Sequence, residues 1–596
     1  MDFSLDWLSW VKSIPRRKRR RTSSSCNMDS VSSQHTDRPL KSILRTTSQE
    51  SLPTYPAVSS ECHRKAIEER HSTSSLSPVS HINDLNYVYG SSGPFQQHIF
   101  YVVFLGHFLS VVHRLLTFAF ALETEHWCAM PSNANLSEEQ WLAVAIPRSA
   151  DGTVDRCHMY LPNGSVAPCS SWYYKRRAFT LTIQTEWNLV CDREWLVSLS
   201  DSVYVVGKLI AMPLVGNFSD SYGRQPVLFL NTLVVVASGF LLLIKRHLVC
   251  FMVCRFLLSF GISSLCTTGI TVLAEITDVP QRTIYVLACL HARGLGYLVM
   301  LPIVLFLDNW FIAQLVVMVP TSFLIFSFAT IPETPRWLLA TGRIVGARDI
   351  AFKAAKRNCV EGTVARQRWE MMLVRLRQER QRTSDVLRSY AATTKYYPFT
   401  IFSVLLFNWL SSWILYYSLT PSAEAVRPTR TASVLADVLL EFFAFCLVVR
   451  TADKFGRIPC IAIGTLGAGL LSFLTFGLLS FHVSYVPKAT LLFAKLLVTA
   501  ATGVLYLHAL ETFPTLLRNT KFNACALCEA LGAVTVSFGE SITKGYSNKD
   551  LLCIVFSVIC IVDGALVFCL PETLHKDMPD DYRDFERLLR EPQQTM

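Results

Sequence analysis

Charge is scarce in this sequence. Only 17% of its 596 residues are Asp, Glu, Lys or Arg, and 51% are hydrophobic. Soluble globular chains carry about 25% charged residues, so the deficit excludes an ordinary soluble domain. Reaction machinery is scarce too. No catalytic triad, metal-ligand cluster or phosphate-binding Gly-rich loop stands out, and the missing Walker A pattern argues against direct ATP coupling. The chain therefore reads as no enzyme, with no cofactor and no metal. A cleavable signal peptide is also missing, because the basic run 16–21 follows the first short apolar stretch instead of preceding it.

What is present is a series of apolar runs of about 20 residues, the length that crosses a ~30 Å hydrocarbon core as a helix. Twelve are expected: 98–122, 196–216, 226–244, 248–274, 284–307, 310–331, 398–419, 431–450, 460–480, 489–510, 522–545 and 551–570. The stretch 338–397 holds thirteen Lys/Arg against five Asp/Glu, and the tail 1–97 is also basic. The positive-inside tendency places both in the cytoplasm. An even number of spans then puts both termini inside, at the plasma membrane.

The resulting plan has a cytoplasmic tail at 1–97, rich in Ser, Thr and Pro and read as disordered. Helix one follows at 98–122, an outer loop at 123–195 and helices two to six at 196–337. A basic loop at 338–397 leads into helices seven to twelve at 398–573, and 574–596 forms a second cytoplasmic tail. The outer loop holds Cys128, Cys157, Cys169 and Cys191, four of the eighteen cysteines, which suggests two disulfides with three pairings open. It also offers glycosylation sequons at Asn135 and Asn163. A third sequon, at Asn217, falls in a cytoplasmic connection and stays bare. Cys525 and Cys528 form a CxxC inside a span and read as small apolar residues there.

Three patterns occur twice. Asp220-Ser221-Tyr222-Gly223-Arg224 recurs 233 residues later as Asp453-Lys454-Phe455-Gly456-Arg457. Glu275 and Arg282, seven apart, recur 236 residues later as Glu511 and Arg518. Pro332-Glu333-Thr334 recurs 239 residues later as Pro571-Glu572-Thr573. Common order and near-constant offset indicate a duplicated six-helix unit whose halves rock around a central site. The two-residue turns favour Gly223 and Gly456. Asp220 and Asp453 are placed to accept hydrogen bonds from helix N-termini, and Arg224 and Arg457 to pair with carboxylates.

At these residues the sequence resembles the organic cation/organic anion/carnitine transporter family (solute carrier 22 type) of the major facilitator superfamily. The matching segments are Glu186–Asp192 (EWNLVCD), Pro332–Leu338 (PETPRWL), Glu511–Arg518 (ETFPTLLR) and Leu570–Thr573 (LPET), within residues 90–580. The resemblance implies an all-α membrane fold, twelve transmembrane helices in two six-helix pseudo-repeats, with a large extracellular loop between helices one and two. It also implies a cytoplasmic latch of Asp220, Gly223, Arg224, Glu275, Arg282, Glu333, Arg336, Asp453, Gly456, Arg457, Glu511 and Arg518. Ser221 and Gln225 stand where the family carries basic residues, which predicts a weaker first latch.

Ionisable residues inside spans are costly and are candidates for function. Here they are Arg114, Lys208, Arg255, Arg293, Glu441, Lys495, Glu529, Glu540 and Asp563. Arg255 matches a structural arginine of the family's fourth span and is assigned to packing. Glu441, twelve residues before Asp453, resembles the glutamate that attracts substrate in organic cation transporters. Phe445 replaces the lysine of the anion branch, and Phe443 the family's proline. Trp409, Trp413, Tyr416 and Tyr417 recur at helical spacing and offer aromatic faces to cations. Alignment on Gly532 puts Ala530 at the family's charged position in span eleven. Glu529 is one residue earlier, rotated by about 100°. Glu441, Tyr416, Tyr417, Trp409, Trp413, Lys208, Lys495 and Glu529 are the pathway candidates.

The expected partners are a small organic ion and the lipid bilayer. Phe3, Leu5, Trp7, Leu8, Trp10, Val11 and Ile14 precede the basic run, a combination suited to an anionic inner leaflet. Phosphorylation at Thr22–Ser25 would release it; the other reading is a disordered tail with an incidental basic run. No second feature supports nucleic-acid binding. The favoured function is alternating-access transport of small organic ions, leaning to cations. The rivals are anion or zwitterion transport, and a transporter-like receptor or interaction protein that no longer turns over.

Overall fold

The computed structural model describes residues 85–588 apart from 121–123, 132–136, 149–153, 162–163, 176–180, 245–246, 308, 388–396, 421–430, 479–485, 544–548, 581–583 and 587. The basic N-terminal run, Thr22–Ser25, and the sequons at Asn135 and Asn163 lie outside the described residues, as does the side chain of Glu540.

A hydrocarbon core offers no water to satisfy backbone groups, so apolar runs of this length close their hydrogen bonds internally as helices. In the first half these are α1 (Pro94–Phe120), α2 (Trp195–Tyr222), α3 (Arg224–Ile244) and α4 (Leu248–Ile276). The fifth span is two helices, α5 (Val279–Leu290) and α6 (Ala292–Phe306), with His291 at the break. The sixth is also two, α7 (Trp310–Ser322) and α8 (Leu324–Ala329). The second half follows α9 (Pro335–Ala340), α10 (Ile344–Arg357) and α11 (Gly362–Leu387). It comprises α12 (Tyr397–Ser418), α13 (Thr431–Phe455), α14 (Arg457–Leu478), α15 (Val486–Thr512), α16 (Arg518–Thr543) and α17 (Lys549–Leu566). Among the described residues, eleven spans are long and apolar enough to cross a membrane. The helix α13 stands where the eighth span is expected.

The two most extensive crossings between the halves are those of α2 on α16 and of α6 on α13. Each contact is made close by a glycine. A Cβ at Gly216 would lie 2.9 Å from Thr520 Cα, and one at Gly294 would lie 3.3 Å from Glu441 Cβ. Small residues permit this approach.

The loop between α1 and α2 builds its own small core. Strand β1 (His126–Cys128) pairs with β4 (Trp172–Tyr174), and β2 (His158–Tyr160) with β3 (Val166–Pro168), both antiparallel. Of the three open pairings, the structure forms Cys128–Cys169 and Cys157–Cys191. Trp141 fills the core and donates to the Cys128 carbonyl at 3.0 Å. Trp187, inside the EWNLVCD segment, packs on Phe251 and Trp310 and seats the loop on the bundle.

The basic connector folds into helices of its own. Helices α10 and α11 bury Ala347, Ala351, Ala354 and Trp369. The Asn358 side chain donates to Tyr89 O at 2.8 Å and accepts from Phe95 N at 2.9 Å, tying the connector to the start of α1.

Candidate functional site

The charged residues gather in two layers between the halves. The first lies at the end of the bundle that carries the two glycine turns. Gly223 and Gly456 have φ of 115° and 96°, where an L side chain is strained. The turns present the starts of α3 and α14 to the carboxylates of the duplicated Pro-Glu-Thr. Glu333 accepts from the backbone N–H of Arg224 and Gln225 at 3.0 and 3.2 Å. Glu572 accepts from Arg457 and Ile458 at 2.9 and 3.0 Å. Orphan N–H groups and the helix dipole both favour a carboxylate there.

Across this layer the halves exchange partners. Arg224 binds Glu275 within the first half at 2.9 Å, and Arg518 of the second half binds the same Glu275 oxygen at 3.0 Å. Arg457 binds Glu511 within the second half at 3.2 Å, and Arg282 of the first half reaches Glu511 at 3.2 Å. Arg224 also donates to Thr515 O at 2.8 Å. Arg336 donates to Met578 O and Asp580, both at 3.1 Å. All twelve latch residues expected from sequence meet in this layer. Neither Ser221 nor Gln225 contributes a side-chain bond to it among the described residues.

One detail differs from expectation. Asp220 accepts from the N–H of Asn519 and Thr520, at 3.3 and 2.7 Å, at the start of α16. Asp453 meets no helix N-terminus among the described residues. It accepts from the Thr283 hydroxyl at 2.8 Å and from Arg457 at 2.7 Å. The cause is where the helices begin. Helix α16 begins at Arg518, so the next N–H groups are unsatisfied, whereas α5 begins at Val279 and has already bonded the N–H of residue 283 internally.

The second layer sits deeper, at the crossings of α2 with α16 and α6 with α13. Lys208 Nζ is 3.0 Å from Glu529 Oε1. Arg293 Nε is 3.4 Å from Glu441 Oε1. The aromatic stripe of α12 lies between the two pairs. Tyr416 donates to Glu441 at 3.1 Å and Tyr417 to Glu529 at 3.4 Å, while Tyr506 of α15 donates to Glu529 at 2.6 Å. The Arg293 guanidinium carbon lies 5.2 Å from the Trp413 ring centre and 5.0 Å from that of Tyr416. Trp409 packs behind on Tyr506 and Phe522. The one-residue offset from Ala530 thus turns Glu529 toward the other half. Lys495 is buried on α15.

The four deep charges obey the repeat. Lys208 precedes Asp220 by twelve residues, as Glu441 precedes Asp453. Arg293 follows Arg282 by eleven, as Glu529 follows Arg518. The first half places a cation at both positions and the second half an anion at both. Sequence reading missed this relation, although the same offsets carry it. It also missed Glu572, whose signal was the repeated Pro-Glu-Thr, and Thr283, Thr515 and Asp580, which had none.

Three further intramembrane charges are local. Arg114 pairs with Asp201 at 2.6 Å. Arg255 is fully buried, bonds Thr117, and lies over Tyr204 and Phe120 at 4.5 and 5.5 Å, a packing position. Asp563 is fully buried and accepts from Asn408 Nδ2 at 2.7 Å.

Comparison with known proteins agrees with this architecture. Residues 145–581 match the profile of the "Sugar (and other) transporter" family. The chain is similar to an "Organic cation transporter protein" of Drosophila melanogaster, 26% identical over 84% of this chain and 94% of the relative. It is as similar to "Organic anion transporter 3" of Oryctolagus cuniculus, 26% identical over 83% and 92%. Its backbone resembles that of the proton:xylose symporter XylE bound to 6-bromo-6-deoxy-D-glucose. That likeness has a TM-score of 0.57 and 17% identity, over 83% of this chain and 99% of the other.

Proposed function

We propose that this chain, which belongs to the sugar (and other) transporter family, carries small organic ions across the plasma membrane by alternating access, with a lean to cations. It is a multi-pass major facilitator superfamily protein with solute carrier 22 relatives, and not an enzyme. The glycine-turn end is assigned to the cytoplasm with both termini, and the disulfide loop to the outside. The latch then closes the cytoplasmic side, and a substrate would enter from the outside toward the deeper charged layer.

One observation carries the substrate reading. Glu441 is buried between the halves beside Trp413 and Tyr416, the combination of carboxylate and aromatic faces that holds an organic cation. The paired cations Lys208 and Arg293 support a second reading, an anion or zwitterion carrier. Relatives named for cations and for anions both cover most of the chain.

The test is uptake of labelled organic cations, anions and zwitterions by vesicles bearing the protein. Saturable cation uptake, weakened by Glu441→Gln at unchanged surface expression, is the expected result. Saturable uptake of anions alone establishes the second reading. No saturable uptake of any class overturns the carrier reading in favour of a receptor.

A further inference from the structure

We propose that Arg293 is the chain's own occupant of a cation site formed by Glu441, Trp413 and Tyr416, exchanged for a substrate cation as the halves part. The direction of exchange rests on the carrier reading; the site itself does not.

The niche is complete within one half. Trp413 and Tyr416 belong to α12 and Glu441 to α13, and all three are buried. The occupant comes from the other half. Arg293 is the second residue of α6, just after the break at His291. Its planar guanidinium is an organic cation, and it takes both ring faces as an external one would.

It fills the niche incompletely. The Arg293 Nε contact with Glu441 is 3.4 Å long and lacks hydrogen-bond geometry, and Glu441 Oε2 is buried with no hydrogen-bond partner among the described residues. Arg518 in the latch is different: it donates to Leu510 O, Phe513 O, Glu275, Thr515 and Pro579 O. A buried charged acceptor left unmet is costly. An external cation that reaches Oε2 as well therefore competes on favourable terms, whereas nothing comparable would displace Arg518.

The repeat makes the competition conformational. Both deep cations sit on the first half and both carboxylates on the second. The carboxylates are neutralised only while the halves are together at this depth. Parting them withdraws Arg293 and leaves a desolvated carboxylate in an aromatic enclosure, which a cation from solution then fills. Binding and separation of the halves favour each other.

The experiment uses the purified full-length protein in lipid nanodiscs, with tetramethylammonium as probe and tryptophan fluorescence as readout. Arg293→Gln should bind the probe about tenfold more tightly than the wild type, on the scale of the cation–π contacts removed. Free methylguanidinium should compete in that variant, and adding Glu441→Gln should abolish the gain. Unchanged affinity in Arg293→Gln, or a gain that survives Glu441→Gln, overturns the proposal. Should Arg293→Gln fail to fold, Arg293→Lys carries the test. Its compact ammonium covers the rings less fully, so a several-fold gain is expected and its absence is decisive. Binding is read without transport, so a negative uptake panel removes the carrier reading and leaves this result standing.

Discussion

Arg518 of the second half donates to Glu275 of the first at 3.0 Å, across 243 positions of sequence. Both side chains are fully buried. Removing Arg518 leaves Glu275 still held by Arg224 and Thr334 but strips a donor from the carbonyls of Leu510, Phe513 and Pro579, and each buried acceptor left unmet costs about 1–3 kcal/mol. Arg518→Ala should therefore lower the thermal midpoint of the purified protein strongly. In the carrier reading it should also raise cysteine labelling at the glycine-turn end. A melting curve equal to the wild type would show that the pair holds nothing.

Gly223→Ala and Gly456→Ala should each destabilise by about 1–3 kcal/mol from the backbone conformation alone. A Cβ at Gly456 would also lie 2.6 Å from Glu572 Oε2, and one at Gly223 would strike Glu333. The steric part is separable. Gly223→Ala combined with Glu333→Ala should cost less than the sum of the two single changes, and strict additivity in thermal melts would refute the clash.

Asn408→Ala should cost about 1–3 kcal/mol, since it strips one donor from a fully buried Asp563. Asp563→Asn keeps a polar contact at that place and should be milder. Melts of the two variants in the same detergent decide it; the reverse ranking would be fatal.

The outer loop should yield, on non-reducing peptide mapping, the pairs Cys128–Cys169 and Cys157–Cys191. Their separations of 41 and 34 residues place each in the usual range of about 2–4 kcal/mol for a disulfide. Reductant should lower the thermal midpoint accordingly. Peptides linking Cys128 to Cys157 would contradict the fold of the loop.

Asn217 should carry no glycan. It lies on α2, five residues before Tyr222 at the glycine-turn end. Glycopeptide mapping should find sugar at Asn135 or Asn163 instead. A glycan on Asn217 would invert the topology.

Spans, turns and the duplication are legible in the sequence because each is written along one dimension. An apolar run has a length, a turn has a glycine, and a repeat has an offset. The same offsets contained the deep quartet of Lys208, Arg293, Glu441 and Glu529, yet that relation emerges only once the pairs are seen to face each other. Glu275 and Arg282, seven apart, read as members of one ionic cluster. Each meets an ion of the other half, Glu275 with Arg518 and Arg282 with Glu511.

The sequence alone therefore determined the all-helical membrane fold, the duplicated turns, the residues that gather in the ionic layer and the aromatic stripe on α12. Only the tertiary structure decided which charge meets which. Partner choice depends on where α2 crosses α16 and α6 crosses α13, and glycines set those close approaches. A buried ion is stable only beside a counter-ion that the same packing has desolvated at the same depth. The fates of Asp220 and Asp453 diverge for the same reason. The repeated turns meet helices that start at different residues, and one helix offers bare N–H groups where the other offers a hydroxyl.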